Sequence, residues 1–315
     1  MSIYLVTGGA GFIGSHIVTA LVERGARVRV LDNLCTGKRA NLAHLGDKFE
    51  FVEGDLVDRA AVERALAGVE IVFHQAALAS VPRSVVAPLD TNAACVTGTV
   101  NLLDVARKSG VKRVVYAGSS SIYGDRTAAA AKYETDLPDP VSPYAAAKAA
   151  GELYCQAFTA TFGLPTVTVR YFNVFGPRQD PNSEYAAVLP KFVMKMLAGE
   201  RPTIFGDGKQ SRDFTYVANI VAGNLLAAEV PAAAGKTFNI ACGEKLDLLD
   251  LVAAINGVLG TKIEPIFDPP RAGDVRDSLA DVSLARKVLG YQPVIDFDEG
   301  LRRSIEYYRS LAGKN

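Results

Sequence analysis

The chain has 315 residues, room for about two domains of ~150 residues and for a large core without disulfide or metal staples. Its 34 basic and 34 acidic residues cancel, which argues against a protein held on nucleic acid or on an acidic membrane surface. Four cysteines (Cys35, Cys95, Cys155, Cys242) and three histidines (His16, His44, His74) show no CxxC or metal-ligand spacing, so free thiols and no metal are expected.

Met1-Ser2 leads straight into a short apolar run, with no basic region or long apolar segment after it. No run reaches the ~18 apolar residues of a membrane span, and the cytoplasm is the expected location. Residues 3–7 read as a strand and 12–24 as a helix closed by Gly25. Further strands are predicted at 27–31, 49–53, 70–74 and 113–117, with helices near 58–67 and 92–108. Strands alternating with helices imply right-handed crossovers and a doubly wound parallel sheet. A helix at 144–162 is announced by Ser142 as cap and Pro143 at the first helical position. Residues 166–171 should return to the sheet. Later helical patterns lie near 187–198, 217–228, 247–258 and 297–309, among prolines such as Pro190, Pro202 and Pro231. The expected fold is α/β: a Rossmann-type domain over 1–175, interleaved with later segments, and a smaller mixed α/β lobe over 176–315.

Thr7-Gly8-Gly9-Ala10-Gly11-Phe12-Ile13-Gly14 joins the first strand to the first helix. Gly8 permits a tight turn, Gly11 a close backbone approach to a pyrophosphate, and Gly14 close packing of helix on strand. The helix N-terminus then offers N–H groups and a positive dipole to phosphate. Asp32 ends the second strand, where a carboxylate accepts the adenosine ribose hydroxyls and repels a 2′-phosphate, so NAD is favoured over NADP. A structural turn is the alternative for the glycine pattern alone. Asp55 falls where an adenine would lie, or else caps the helix at 58–67.

Tyr144 and Lys148 stand four apart, on one face of a helix's first turns. A phenol is a poor base near neutrality, and an adjacent ammonium together with a positive nicotinamide ring favours the phenolate. Ser119-Ser120-Ser121 follow the fifth strand, where parallel-sheet ligands bind. An ordinary exposed helix and a capped loop are the alternative readings of these two segments.

Jointly these segments resemble the extended short-chain dehydrogenase/reductase superfamily, over essentially the whole chain. The resemblance is carried by the glycine loop, Asp32-Asn33, Gly54-Asp55-Leu56, His74-Gln75-Ala76-Ala77, Ser119-Ser120-Ser121-Ile122-Tyr123-Gly124, Tyr144-Ala145-Ala146-Ala147-Lys148 and Arg170-Tyr171-Phe172-Asn173-Val174-Phe175-Gly176-Pro177. Within it the chain looks most like the UDP-hexose 4-epimerases, especially the branch acting on N-acetylhexosamines. The resemblance implies catalysis by Ser119, Tyr144 and Lys148. It implies NAD on Gly8, Gly11, Phe12, Ile13, Gly14, Asp32, Asn33, Thr36, Gly37, Asp55, Leu56, Gln75, Ala76, Ala77, Tyr144, Lys148, Tyr171 and Phe172. It implies a UDP-sugar on Ser80, Ser119, Ser120, Tyr144, Asn173, Val188, Leu189, Thr203, Phe205, Arg212, Arg271, Asp274 and Ser278. Phe205 would lie beside uracil, Arg212 and Arg271 on phosphate, and Asp274 on ribose. Ser278 would border the sugar's C2 substituent where some relatives carry tyrosine, and Arg83 and Ser84 are guessed as acetamido partners. The family also implies a homodimer through the helices near 92–108 and 144–162. The second of these looks apolar through Ala149, Leu153, Cys155, Ala157 and Phe158, against simple burial within one chain.

Two positions depart from the family pattern. Ala79 stands where some epimerases carry lysine, and Cys95 stands where relatives have asparagine. Rival reactions are weakened by what is missing. A dehydratase needs an Asp-Glu pair where Ser120 and Ser121 stand, and a decarboxylase needs glutamate at Ser121. A reductase usually takes NADPH, which Asp32 disfavours. A non-catalytic dinucleotide sensor would tend to lose the Tyr144/Lys148 pair.

Overall fold

The computed structural model describes residues 2–125, 131–181, 187–270 and 276–312. The chain begins with β1 (Ile3–Thr7), α1 (Phe12–Glu23), β2 (Arg27–Asp32), β3 (Phe49–Glu53), α2 (Arg59–Leu66) and β4 (Val69–His74). Two short helices, α3 (Val81–Val86) and α4 (Pro88–Asn92), lead through a π turn at Ala93–Thr97 into α5 (Gly98–Lys108). Next come β5 (Arg113–Ser119), α6 (Pro143–Phe162), β6 (Thr166–Tyr171), β7 (Val174–Phe175), α7 (Val188–Leu197), β8 (Thr203–Phe205), β9 (Ser211–Arg212), β10 (Thr215–Tyr216) and α8 (Val217–Glu229). The chain finishes with β11 (Thr237–Ile240), β12 (Leu246–Asp247), α9 (Leu248–Leu259), β13 (Ile266–Asp268), β14 (Asp277–Ser278), α10 (Ser283–Leu289) and α11 (Phe297–Ala312).

Seven parallel strands form the main sheet in the order β11-β6-β5-β4-β1-β2-β3. The order reverses between β1 and β4, so a crevice opens above their carboxyl ends. β6 is buried along its whole length and β5 along most of it, because helices cover both faces of the sheet. On one face α1 and α8 bring Ile17, Val18, Leu21, Ile220 and Leu225 against the sheet. On the other, α2, α5 and α6 bring Val62, Leu66, Leu102, Cys155 and Phe158. A separate core is built by Phe192 and Val193 of α7, Leu251 and Ile255 of α9, and Leu301, Ile305 and Tyr308 of α11. The fold is thus a Rossmann-like parallel sheet with flanking helices, and two of its parts, α8 and β11, come from beyond residue 176.

Three expectations need correction. The helix read at 92–108 is interrupted by the π turn, where the Thr99 side chain donates to the Cys95 carbonyl and competes with the regular backbone ladder. Asp58, not Asp55, caps α2 by accepting from the Ala60 N–H. The apolar face expected on α6 divides: Ala149, Cys155 and Phe158 are buried inside the chain, while Leu153 and Ala157 point outward. The helical turn at 39–45, α3, α10 and β11 were not anticipated. Each is too short to show a period.

Candidate active site

Above the crevice lies one cavity of about 1420 Å³, larger than the ~300–1,000 Å³ typical of a single small-ligand pocket. Its floor starts at the glycine loop. Gly8 has φ +66°, and a Cβ there would sit 2.7 Å from the Ala76 backbone; a Cβ on Gly14 would overlap the Gly8 carbonyl. Only glycine fits either place. Gly11 caps α1 without any side-chain hydrogen bond, so the helix turns its first N–H groups, at Phe12, Ile13 and Gly14, toward the cavity.

Asp32 closes this end. Its two oxygens accept from the Ala10 and Leu34 N–H groups at 2.9 and 2.8 Å and keep lone pairs for ribose hydroxyls. Burial pushes its carboxyl pKa up, against the pull of those two backbone bonds. Leu34 takes a left-handed φ of +58°, the bend that brings its N–H back onto Asp32. Asn33 donates to Asp55 at 2.6 Å on the cavity rim. Thr36 and Leu56 also line the wall, whereas Gly37 lies behind it, packed on the Asp32 carboxylate. An uncapped helix N-terminus, a cradle a Cβ would fill and a carboxylate at the ribose end together fit a dinucleotide such as NAD.

Along the same cavity the side chains of Ser119, Tyr144 and Lys148 converge. Ser142 accepts from the Ala145 N–H and Pro143 opens α6, so the helix presents Tyr144 and Lys148 on one face. Lys148 is 4 % exposed and its Nζ donates to the Ala117 carbonyl at 2.9 Å. Burial lowers its pKa. Tyr144 is half-buried, and burial raises its phenol pKa, opposed by a hydrogen bond with Ser119. Burial therefore works against the phenolate, and the Lys148 ammonium expected to favour it is hydrogen-bonded to the β5 backbone. Ser119 Oγ also lies 2.8 Å from Ser121 Oγ. Gln75, Ala76, Ala77, Ser80, Ser120, Tyr171 and Phe172 complete this region.

The far end is built by the second core. Asn173, at φ +33°, donates to the Asp213 carbonyl at 3.3 Å and to Ser278 Oγ at 3.4 Å. β14 pairs with β9, setting Ser278 opposite Arg212. Val188, Leu189, Thr203 and Phe205 face the same space. Arg271 and Asp274 lie outside the described residues. Arg83 lines the cavity, but Ser84 does not suit an acetamido partner: it is buried and donates to the Val81 carbonyl of its own turn.

Some supporting residues were not foreseen. Gln210 donates to the Phe205 carbonyl at 2.6 Å and fixes β8. Asn224 of α8 accepts from both Tyr171 and Gln75, at 3.0 and 3.2 Å. Asn224 meets its partners across distant parts of the chain, and the Gln210 bond, though it spans only five residues, belongs to an irregular turn with no sequence period.

Residues 4–241 match the model of the NAD dependent epimerase/dehydratase family. The chain belongs to that family. As a member of the NAD dependent epimerase/dehydratase family it is similar along nearly its whole length to UDP-sugar 4-epimerases. A UDP-glucose 4-epimerase of Mycolicibacterium smegmatis is 43% identical over 312 residues, which is 97% of this chain and 98% of the relative. The solved UDP-glucose 4-epimerase of Thermotoga maritima with UDP-glucose superposes with TM-score 0.94 at 40% identity, over 98% of this chain and 99% of that one. The UDP-N-acetylglucosamine 4-epimerase of Methanobrevibacter ruminantium with UDP-N-acetylmuramic acid gives TM-score 0.94 at 42% identity, with the same coverage. Among the described residues no helix is long and apolar enough to cross a membrane, and no cluster of His, Cys, Asp or Glu has the makings of a metal site.

Proposed function

We propose that the enzyme inverts C4 of a UDP-hexose through a 4-keto intermediate. The observation that carries this reading is the meeting of Ser119, Tyr144 and Lys148 midway along a cavity that runs from the glycine loop to Ser278. When bound, NAD would supply the hydride acceptor, and its positive ring would favour the Tyr144 phenolate. Tyr144 takes the C4 hydroxyl proton, and Ser119 shares that proton with the substrate oxygen. Lys148 orients the cofactor ribose while anchored to the Ala117 carbonyl. Rotation of the 4-keto sugar would then present its other face, and Tyr144 would give the proton back to O4; because the bound cofactor would both take and give back hydride, no net redox would result.

The dinucleotide side is residues 1–175 with the later segments that complete the sheet. The UDP-sugar side is mainly residues 176–315, apart from those later segments. Ser278 at the C2 end leaves space for an acetamido group, so the substrates are UDP-GlcNAc and UDP-GalNAc, with UDP-Glc and UDP-Gal also turned over. The relatives that act on UDP-glucose and on UDP-N-acetylglucosamine support both pairs equally. The working form is a homodimer. Val85, Val86 and Leu89 of α3 and α4 are 64%, 79% and 82% exposed, α3 and α4 both pack on α6, and α6 itself exposes Leu153 and Tyr154, apolar surface of the kind that marks a protein contact.

The test is to incubate the purified enzyme separately with each of the four UDP-sugars and follow the C4 epimer by NMR. Reduction of enzyme-held NAD is read near 340 nm in the same samples. Absence of any C4 epimer with all four would sink the reading.

A further inference from the structure

Behind Lys148 lies a row of buried polar side chains to which the proposed reaction gives no part. His74, the last residue of β4, is 1 % exposed. Its Nδ1 lies 2.8 Å from Thr7 Oγ1 at the end of β1, and its Nε2 lies 2.9 Å from Thr99 Oγ1 on α5. Thr99 Oγ1 donates to the Cys95 carbonyl at 2.7 Å, inside the π turn. Thr7 Oγ1 accepts from the Ala76 N–H at 3.3 Å.

For a neutral ring these contacts fix the tautomer. A hydroxyl has one, and that of Thr99 goes to a carbonyl that can only accept. Thr99 Oγ1 must then accept from His74, so the imidazole carries its proton on Nε2. Nδ1 is left as an acceptor and receives the Thr7 hydroxyl proton. Of the two neutral tautomers, only Nε2–H makes all four contacts hydrogen bonds; an imidazolium would also make them, with Nδ1–H donating to Thr7, but at the cost of a buried charge. Burial, seconded by the charge of Lys148, pushes the His74 pKa down to about 3, so this state persists near neutrality.

The row ends against the reacting groups. The π turn packs on α6, and π turns in helices are frequent at functional sites. Cys95 within it is buried. The Tyr116 ring lies between the two ends: its centroid is 5.6 Å from that of His74 and 5.1 Å from Lys148 Nζ.

We propose that His74 is a positioning residue whose Nε2–H tautomer ties the glycine-loop strand, the Ala76 backbone and the π turn into one unit that sets Tyr144 and Lys148. This rests on the reading of Tyr144 as the base.

Thr99→Val removes the hydroxyl at nearly constant shape. In that variant kcat should fall about tenfold or more, with KM within about twofold and full NAD content, and Thr99→Ser should restore kcat to within about twofold. An unchanged kcat in Thr99→Val, or a loss that only follows lost NAD or lost fold, overturns the proposal. With three histidines in the chain, 15N NMR of the wild-type holoenzyme resolves the tautomer directly. An Nε2–H imidazole from about pH 5 to about pH 9 is expected, and an Nδ1–H form or an imidazolium there overturns the proposal even if the variant does not fold. The ultraviolet titration of Tyr144, taken as the difference from Tyr144→Phe, should also move in Thr99→Val whatever substrate the enzyme takes. A titration that stays in place counts against the positioning role, while absence of epimerisation by wild type counts against the assigned reaction.

Discussion

Arg170 on β6 holds Glu152 on α6 through hydrogen bonds of 3.0 and 2.6 Å, with both side chains at most 5% exposed. Glu152 follows Lys148 by one helical turn, so the pair fastens the helix that carries Tyr144 to the sheet. Arg170 also donates to the Tyr123 hydroxyl at 2.6 Å, which in turn donates to Asn239 of β11, and Thr237 donates to Glu152 at 3.1 Å. Removing one partner strands the other charge in the interior. Glu152→Ala should therefore cost about 3–5 kcal/mol, read from urea unfolding. A loss below about 1 kcal/mol would mean that water or another acid reaches Arg170.

Tyr144→Phe keeps the ring and removes the proton acceptor. Turnover should drop by about 10²- to 10⁴-fold, with UDP-sugar affinity and melting temperature nearly unchanged. Calorimetric binding and the coupled epimerase assay on the same preparation check this. Near-wild-type turnover would remove Tyr144 from the mechanism.

Ser278 accepts from Asn173 and lines the cavity at the end where the sugar is proposed to lie. Ser278→Tyr puts a ring where an acetamido group would sit, and a packed pocket does not absorb those atoms without strain. Activity on UDP-GlcNAc should vanish while activity on UDP-glucose remains. An unchanged ratio of the two rates would show that another residue sets the size limit.

Much of this was legible in the sequence because it rests on local chemistry. The glycine loop, the Ser142-Pro143 start of α6 and the long buried strands each follow from residue type at short spacing. Asn224 beneath Tyr171, Arg170 beside Glu152 and Gln210 under β8 do not, because each bond depends on how the chain turns back on itself and not on a period within one element. β11 was missed for a related reason: four residues carry no period, and it is a strand only because the edge of β6 is there to receive it. The divided apolar face of α6 shows the converse limit, since a helical stripe records apolar character but not which neighbour covers it.

Acid should weaken the fold through two histidines. His16 donates to the Pro177 carbonyl at 2.9 Å, and burial, then the charge of Arg178, pushes its pKa down to about 4. His74 is pushed down to about 3. Both start from 6.5 in the unfolded chain, so their stabilising contribution is complete above that pH and is lost as pH falls toward the folded values. Near pH 5.5 unfolding should take up about two protons at these sites. Asp213 works the other way: burial raises its pKa to about 6, and its contribution declines as pH rises through that range. The clean reading is therefore a comparison of urea midpoints. His16→Gln should flatten their rise between about pH 4.5 and about pH 6.5 by about one proton, and an unaltered slope would show that His16 is charged in the fold.

The exposed apolar patch on α3, α4 and α6 predicts self-association. Light scattering at micromolar concentration should give a dimer for wild type. Leu89→Glu combined with Leu153→Glu should give a monomer, because both side chains are more than half exposed and carry little of the chain's own core. A wild-type monomer, or a charged variant that still dimerises, would move the interface elsewhere or remove it.

β6 lies between β5 and β11, and β11 is synthesised only after the whole stretch from β7 to α8. While the ribosome is making that stretch, β6 presents a bare row of backbone donors and acceptors, and the seat of α8 on the sheet is empty. Such an edge is a template for strands of other chains, and nascent polypeptides with open edges are the ones that aggregate or call on chaperones. The enzyme is therefore most vulnerable during its own translation, and slowing synthesis between residues 172 and 236 should lower the yield of soluble protein more than an equal delay after residue 240.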